Sequence, residues 1–577
     1  MKKYLLFFAL FTTVISKAQL YVANGETITV ATSGDLNLQE DLNNNGTITN
    51  LTLGGSGAIT GTGSIGTLVV NTTGTFTASS GMQTITSLLT PTAGTLIAGG
   101  FITLQSNNGG TAYGTSGAAT ITGLNIQHYL TTNQRGWRLV GSPFTTDVTL
   151  ASLATASNID ITYGGNNGYG GTSAPSSETY NPTLNSWTGL TSGSVWAANS
   201  SMALFIRGTT GQGIGTDLSY AAESGTPSFV TLQAKGTLNA VAKNYTLTPN
   251  AINIIANPFA APISLYAVMN ANTSGYASLV TYYNPTLSNG GILTTKAGGY
   301  FTPAQPTANA DIIIPPMGSF VITSNGGSSF TIPTSAIASS TAPTTGVLGM
   351  ENNTLSLNIS GADNKVYYDA LTFRFDPLAK GSTGDTYDFL KMANENLDLY
   401  SISTDNKYLA YDNRNLATTE QIIPLGLRTL VQQNYTINAI NNATVNALLR
   451  DKLLKTETDL TGGNSYSFAV TADTATQGIN RFEIVLNAKS AVAPVVDNSA
   501  SISVYPNPAS DYILVNLPNN QGAYHISVTD LSSKTIETKT AETGGLISIP
   551  VKQYATGYYI VTVRNAGSVV SKKIFKN

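Results

Sequence analysis

The chain has no cysteine, two histidines, three tryptophans and few charges, with Asp, Glu, Lys and Arg making up 10% of its 577 residues. Without cysteine, disulfide frameworks, thiolate metal clusters and cysteine nucleophiles are excluded. His128 and His525 are too few for a histidine-rich metal site and leave little for a His-based triad. The formal net charge is -3 and the pI about 5.5. No bulk positive field therefore exists to hold nucleic acid or anionic lipid. What is abundant is glycine, at 56 residues, in a background of Thr, Asn and Ser. At about 150 residues per domain the length predicts about four domains, each with its own core.

Met1-Lys2-Lys3 is a short basic start, followed by the largely apolar run 4–15 and then Ser16-Lys17-Ala18. Small residues three and one before Gln19 form the A-x-A-like pattern of a secretory signal peptide, with cleavage expected between Ala18 and Gln19. The apolar run is too short to span a bilayer, which needs about 20 residues. No Cys follows it, so a lipid anchor on cysteine is excluded. No later window is apolar enough to span, which predicts a mature chain that is soluble once exported.

The C-terminus reads as seven short strands over 502–505, 512–517, 525–530, 535–539, 546–551, 558–564 and 569–575. Pro-Asn-Pro, Asn-Asn-Gln-Gly and Gly-Gly turns separate them, the pattern of a small Ig-like β-sandwich. The motifs Val504-Tyr505-Pro506-Asn507-Pro508-Ala509-Ser510-Asp511, Val528-Thr529-Asp530-Leu531, Gly557-Tyr558-Tyr559-Ile560-Val561 and Lys572-Lys573-Ile574 occur in that order. This segment closely resembles the C-terminal sorting domain, type A, of the Bacteroidetes type IX secretion system. One departure is Ser533-Lys534, where the family usually has Gly-Lys. The resemblance implies Sec export to the periplasm and passage across the outer membrane by the type IX machinery. It also implies release or surface attachment, usually with removal of the domain. Pro506, Asn507, Pro508, Gly557, Tyr558, Lys572 and Lys573 are the sorting-motif residues it implies.

Charge is uneven along the chain. Residues 19–345 carry 10 acidic and 6 basic side chains, whereas 346–577 carry 21 and 19. The step falls at the Ser/Thr/Ala/Pro stretch 335–345, which reads as a linker, and a second linker spans 490–500. In 19–124, Ile48-Thr-Asn-Leu-Thr-Leu53, Ile65-Gly-Thr-Leu-Val-Val70 and Ile85-Thr-Ser-Leu-Leu-Thr90 recur at intervals of 17 and 20. A period near 20, with one inward apolar set per short strand, predicts a β-solenoid. A duplication follows, predicting two tandem β-rich copies, 125–228 and 229–334. Arg138-Leu-Val-Gly-Ser-Pro-Phe144 matches Asn253-Ile-Ile-Ala-Asn-Pro-Phe259, and Met202-Ala-Leu-Phe205 matches Met317-Gly-Ser-Phe320, both at an offset of 115. Tyr180-Asn-Pro-Thr-Leu184 matches Tyr283-Asn-Pro-Thr-Leu287 at 103. Residues 346–489 alternate apolar strands with polar turns, predicting a further β-sandwich, with one short helix over 443–454. The expected layout is thus all-β: signal peptide 1–18, solenoid 19–124, the two copies, the linker, the sandwich 346–489, and a sorting domain over 501–577.

Candidate chemistry is sparse. Gly61-Thr-Gly-Ser-Ile-Gly66 fits G-x-G-x-x-G, but a strand follows it where a dinucleotide site needs a helix, so it reads as a solenoid turn. Asp41, Asn43 and Asn45, followed by Gly46, form the first half of a calcium loop that lacks the Glu at its twelfth position. Calcium is the one cofactor they suggest, and weakly; an Asn/Gly turn is the simpler reading. Asp385 and Asp388 are close in sequence and are expected in a solvated loop. All three tryptophans fall in the first copy. Trp187 and Trp196 are candidates for stacking on sugar CH faces, and core anchoring is the simpler account of all three tryptophans, Trp137 included. The Thr-x-Thr triplets at 47–49, 75–77 and 84–86 suggest a hydroxyl array only if they share a register, and the spacing of the repeats argues that they do not. The expectation is a non-catalytic, adhesin-like secreted or cell-surface protein whose partners are the type IX machinery and surface glycans. Carbohydrate binding is the alternative, with a polysaccharide-active enzyme behind it.

Overall fold

The computed structural model describes residues 19–577 except 31–35, 132–135, 164–174, 212–227, 284–292, 296–298, 305–310, 339–352, 362–367, 381–387, 395–396, 416–419, 444, 488–501, 518–522, 532–533 and 566–568. The signal-peptide reading of 1–18 lies outside the described residues. The fold is all-β apart from short helices, and the chain forms two compact units, Met1–Ala488 and Lys489–Asn577.

The first unit opens with the solenoid. Its strands stack in parallel, with Ile48 beside Ile65 beside Ile85 and Leu51 beside Leu68 beside Leu89, so the sequence intervals of 17 and 20 are coil lengths. These six side chains are at most 1% exposed and form continuous apolar columns. Turn carbonyls inside the stack need donors. Buried Gln83 supplies them, its Nε2 donating to Gly61 O at 2.7 Å and Asn44 O at 2.9 Å, while Asn44 Nδ2 donates to Gln83 Oε1 at 2.8 Å. A parallel stack leaves an open edge that must be covered. Strand Leu124–Tyr129 closes it by pairing in parallel with Ile102–Leu104 on one side and antiparallel with Thr231–Gly236 on the other. The solenoid sheet therefore runs on past residue 124 and takes a strand from beyond 228, so the expected boundaries cut through one shared sheet.

The two matched segments correspond in strand order. In the first copy the sheet order is Gly136–Gly141, Ser201–Ile206, Ser177–Asn181, Ser186–Gly189; in the second it is Ile252–Ala256, Ser319–Ser324, Tyr276–Tyr283, Gly299–Ala304, Leu293–Thr295. Each copy also carries a short helix that sequence reading missed, Leu150–Ser157 and Leu265–Asn270. Thr149 Oγ1 and Ser264 Oγ accept from Ser152 N and Ala267 N, which makes them equivalent N-caps at the repeat offset. The copies meet along their matching strands, where Gly141 N donates to Met317 O at 2.9 Å. Trp137 and Phe205 of the first copy, Ile252 and Val321 of the second, and Phe389, Met392 and Tyr411 from beyond residue 346 form one buried cluster.

Residues 353–487 form a continuous sheet curled around a core that includes Leu357, Phe373, Leu399, Ile437, Leu449 and Ile484. The helix expected over 443–454 is instead strand Ala447–Asp451, paired on both sides. Its alternation decides this, with Ala447, Leu449 and Asp451 buried and Leu448 and Arg450 facing out. The supposed linker is docked where it begins: Ala336 is fully buried and Ala338 N donates to Pro262 O. Its remainder, 339–345, lies outside the described residues.

The second unit has the expected seven strands in two sheets. Ser503–Tyr505, Tyr512–Leu517 and Gly545–Pro550 form one; Thr535–Ala541, Tyr524–Asp530, Gly557–Arg564 and Val569–Lys576 form the other. Ile513, Val515, Ile526, Val528, Val561, Val563 and Ile574 fill the space between them.

Candidate functional site

The sorting-motif residues, scattered over 68 positions of sequence, converge on the terminal strand. Strand Val569–Lys576 pairs with Gly557–Arg564 along one edge, Tyr558 opposite Phe575. Its other edge is covered by the Pro506-Asn507-Pro508 segment. Phe575 N donates to Asn507 Oδ1 at 2.8 Å and Asn507 Nδ2 donates to Lys573 O at 3.2 Å, so the amide stands in for a strand neighbour. Ala509 N then donates to Phe575 O at 2.8 Å, and Asn577 N to Ala509 O at 2.9 Å. Pro506 and Pro508 are both preceded by cis peptide bonds. On the outer face Lys573 Nζ lies 4.0 Å from the Tyr558 ring centroid, with Phe575 edge-on to Tyr558 at 5.0 Å. Lys572, on the opposite face of the same strand, is also exposed. The arrangement presents a cationic and aromatic strip on a strand whose edge is fixed by a loop 66 residues away. Sequence reading found the motifs but not that Asn507 joins two of them.

The other candidates take part in packing and hydrogen bonds within the fold. Trp196 is 1% exposed, with its Nε1 donating to Ser200 O at 3.0 Å, so it has no face to offer a sugar. Trp187 is half-buried against Tyr180, ring centroids 5.2 Å apart, at the edge of the three-way cluster. The turn before it is tied down, Asn185 Nδ2 donating to Lys391 O at 2.8 Å and Ala393 N donating to Asn185 Oδ1 at 3.1 Å. The half-loop suggestive of calcium is a solenoid rung. Asp41 Oδ1 accepts from Ala58 N, Asn43 Oδ1 from Asn45 Nδ2, and Asn45 Oδ1 from Thr62 N. Those oxygens bind this coil to itself and to the next, and no group of three or more His, Cys, Asp or Glu suited to a metal occurs among the described residues. Gly61–Gly66 enters strand Ser64–Ala78, as a solenoid turn should. Of the Thr-x-Thr triplets, Thr47 and Thr84 share one column through Ser64, while Thr75 stands in another with Thr95 and Thr120. Registered hydroxyls thus exist, on two separate sides of the stack.

His128 sits half-buried in strand Leu124–Tyr129, and loss of solvent pushes its imidazole down to about 4, so it is neutral. Asp388 is not solvated as expected. It is 2% exposed and its Oδ1 accepts from Asn413 N at 2.9 Å; Asp385 lies outside the described residues. Near it is a group that sequence reading missed. Lys391 Nζ is 2.6 Å from Asp369 Oδ2 and 3.5 Å from Asp398 Oδ1, with all three side chains at most 4% exposed. Residues 369, 391 and 398 are ordinary charged positions in sequence; what assembles them is strand pairing and a turn, for which no local signal exists.

Residues 503–577 match the family model of the secretion system C-terminal sorting domain, and the C-terminal unit is such a domain, of the type IX system. A domain of this family implies export to the outer cell surface or the medium, and engagement of the type IX machinery. No curated protein matches the chain. Among solved structures, dimeric latent PorU from Porphyromonas gingivalis is 11% identical over 62% of this chain and 36% of its own, with a TM-score of 0.12. The chain thus spans about a third of the length of that protein. The BSP domain of a biofilm associated protein is 10% identical over 78% of this chain and 92% of its own, with a TM-score of 0.14. At such scores neither likeness carries an argument. Among the described residues no helix is long and apolar enough to cross a membrane.

Proposed function

We propose that the protein is a non-catalytic, adhesin-like scaffold, delivered by Sec and then by the type IX system to the cell surface or the medium. The observation that carries this reading is the assembled sorting strip of Tyr558, Lys573 and Phe575 on an edge locked by Asn507. The rest of the chain supports it. The solenoid segment 19–124 contains no Lys, Arg or His to abstract a proton. Asp41, Asn43 and Asn45 are bound into a solenoid rung, Trp187 lies at the junction and Trp196 in a core. Large, nearly uncharged sheet faces with hydroxyl columns suit passive contact with other surfaces. Deleting residues 500–577 is expected to leave the chain inside the cell, measured by fractionation and immunoblot; unchanged extracellular levels would refute the export route. Reducing-sugar release from a polysaccharide panel by the full chain would refute its non-catalytic character.

A further inference from the structure

The group around Lys391 is unusual for its sealing and its stoichiometry. Asp369 is fully buried, on strand 368–375; Lys391 follows strand Phe389–Leu390; Asp398 is on strand Leu397–Ile402. One oxygen, Asp369 Oδ2, receives both Lys391 Nζ at 2.6 Å and the Leu399 backbone N–H at 2.6 Å. Asp398 Oδ1 stands 3.5 Å from the same Nζ, while its Oδ2 is held by Arg428 Nε at 2.7 Å, so a second carboxylate is fixed beside the amine. Burial pushes the Asp369 carboxyl up, toward the uncharged acid, against the pull of Lys391. Water has little access to any of the three.

We propose that Lys391 and Asp369 condense into an intramolecular amide, with Asp398 as the proton relay. Lys391 Nζ attacks Asp369 Cγ and the N–C bond forms. Oδ2, already held by the Leu399 N–H, carries the negative charge of the tetrahedral stage and remains as the amide oxygen. Asp398 relays two protons in turn from the nitrogen to Oδ1, one before the attack, leaving a neutral amine and a neutral acid, and one after it, so that the Cγ–Oδ1 bond breaks and Oδ1 departs with two hydrogens as water. An ammonium and a carboxylate become a secondary amide and one water, with no oxidant or co-reactant. Two physical terms drive the step. Holding the reactants in contact supplies the high effective concentration whose absence makes amide formation in water unfavourable. Replacing a sealed ion pair by a neutral amide also removes the desolvation penalty that buried charges carry. The product ties strand 368–375 to the segment that docks on Asn185 of the first copy, and so would fasten the junction against pulling.

Trypsin digestion and mass spectrometry of the full folded chain test this directly. Residues 366–374 and 381–407 are expected as one branched peptide, lighter by one water than its two parts together, with no cleavage after Lys391. Asp398→Asn, which keeps the side-chain volume, is expected to yield three separate peptides, 366–374, 381–391 and 392–407, with cleavage restored after Lys391. Separate parts from the folded wild-type chain overturn the proposal and leave an ordinary buried ion network. A branched peptide from the Asp398→Asn variant overturns the relay. The wild-type result stands even if that variant does not fold.

Discussion

At the scale of single residues, the ionisable groups are held by burial and by their neighbours. His128 shows the consequence. Its folded value, about 4, lies below the value of about 6.5 expected when unfolded, so between the two the unfolded chain binds more protons. Stability is therefore complete above the unfolded value, falls as the pH drops through that window, and levels off below it. Solvent at the ring edge limits the loss to about 1–2 kcal/mol. Urea midpoints of the wild type and His128→Gln at about pH 7 and about pH 5 are expected to show a steeper loss in the wild type. Asp451 shows the opposite balance. Burial raises its carboxyl, but hydrogen bonds from Arg481, Leu454 N and Tyr466 outweigh burial and hold it below the usual range. Asp451 and Arg481 are each 1% exposed, with the guanidinium stacked over Phe468 and Phe482. Such groups serve cohesion, and nothing in the local sequence distinguishes them from solvated charges.

At the scale of elements, backbone meets backbone between the two copies, and side-chain volume decides whether it can. A Cβ on Gly141 would lie 2.3 Å from Gly318 O and 2.9 Å from Ala256 Cα. Gly141→Ala is expected to cost about 1–3 kcal/mol by forcing the copies apart. Gly193→Ala, where a Cβ meets nothing within 4 Å, should change stability by less than about 0.5 kcal/mol, and chemical denaturation compares the two. Elements also divide by how readable they are. Solenoid coils were readable because each repeats a short apolar pattern whose interval equals the coil length. The seven sorting strands were readable because turns bracket each one. The two helices were not, because Leu150–Ser157 and Leu265–Asn270 are short and lie among strands. Strand Ala447–Asp451 departs from the helix expected over 443–454 because Leu448 and Leu449, taken with Leu453 and Leu454 beyond the strand, also fit a helical spacing.

At the scale of the molecule, the segments read as separate beads share their interiors. One core runs from Val22 in the solenoid to Met317 in the second copy, and another joins both copies to Phe389 and Tyr411. The C-terminal unit keeps a core of its own. Calorimetry of the full chain is expected to show two transitions, one for the C-terminal unit and one cooperative transition for residues 19–487. Deletion of 500–577 should remove the first and leave the second. Independent melting of the solenoid within the second would contradict the shared cores.

Periodicity, turn chemistry and the linear motifs sufficed to establish an all-β chain, its repeats and its export module, because each is written in neighbouring residues. The packing of Trp196, the bracing of the terminal strand by Asn507 and the meeting of Asp369, Lys391 and Asp398 depend on positions brought together from a distance. Which polar side chain ends up sealed, and beside what, follows from sheet order and from how the copies dock. One chain read residue by residue does not encode that locally.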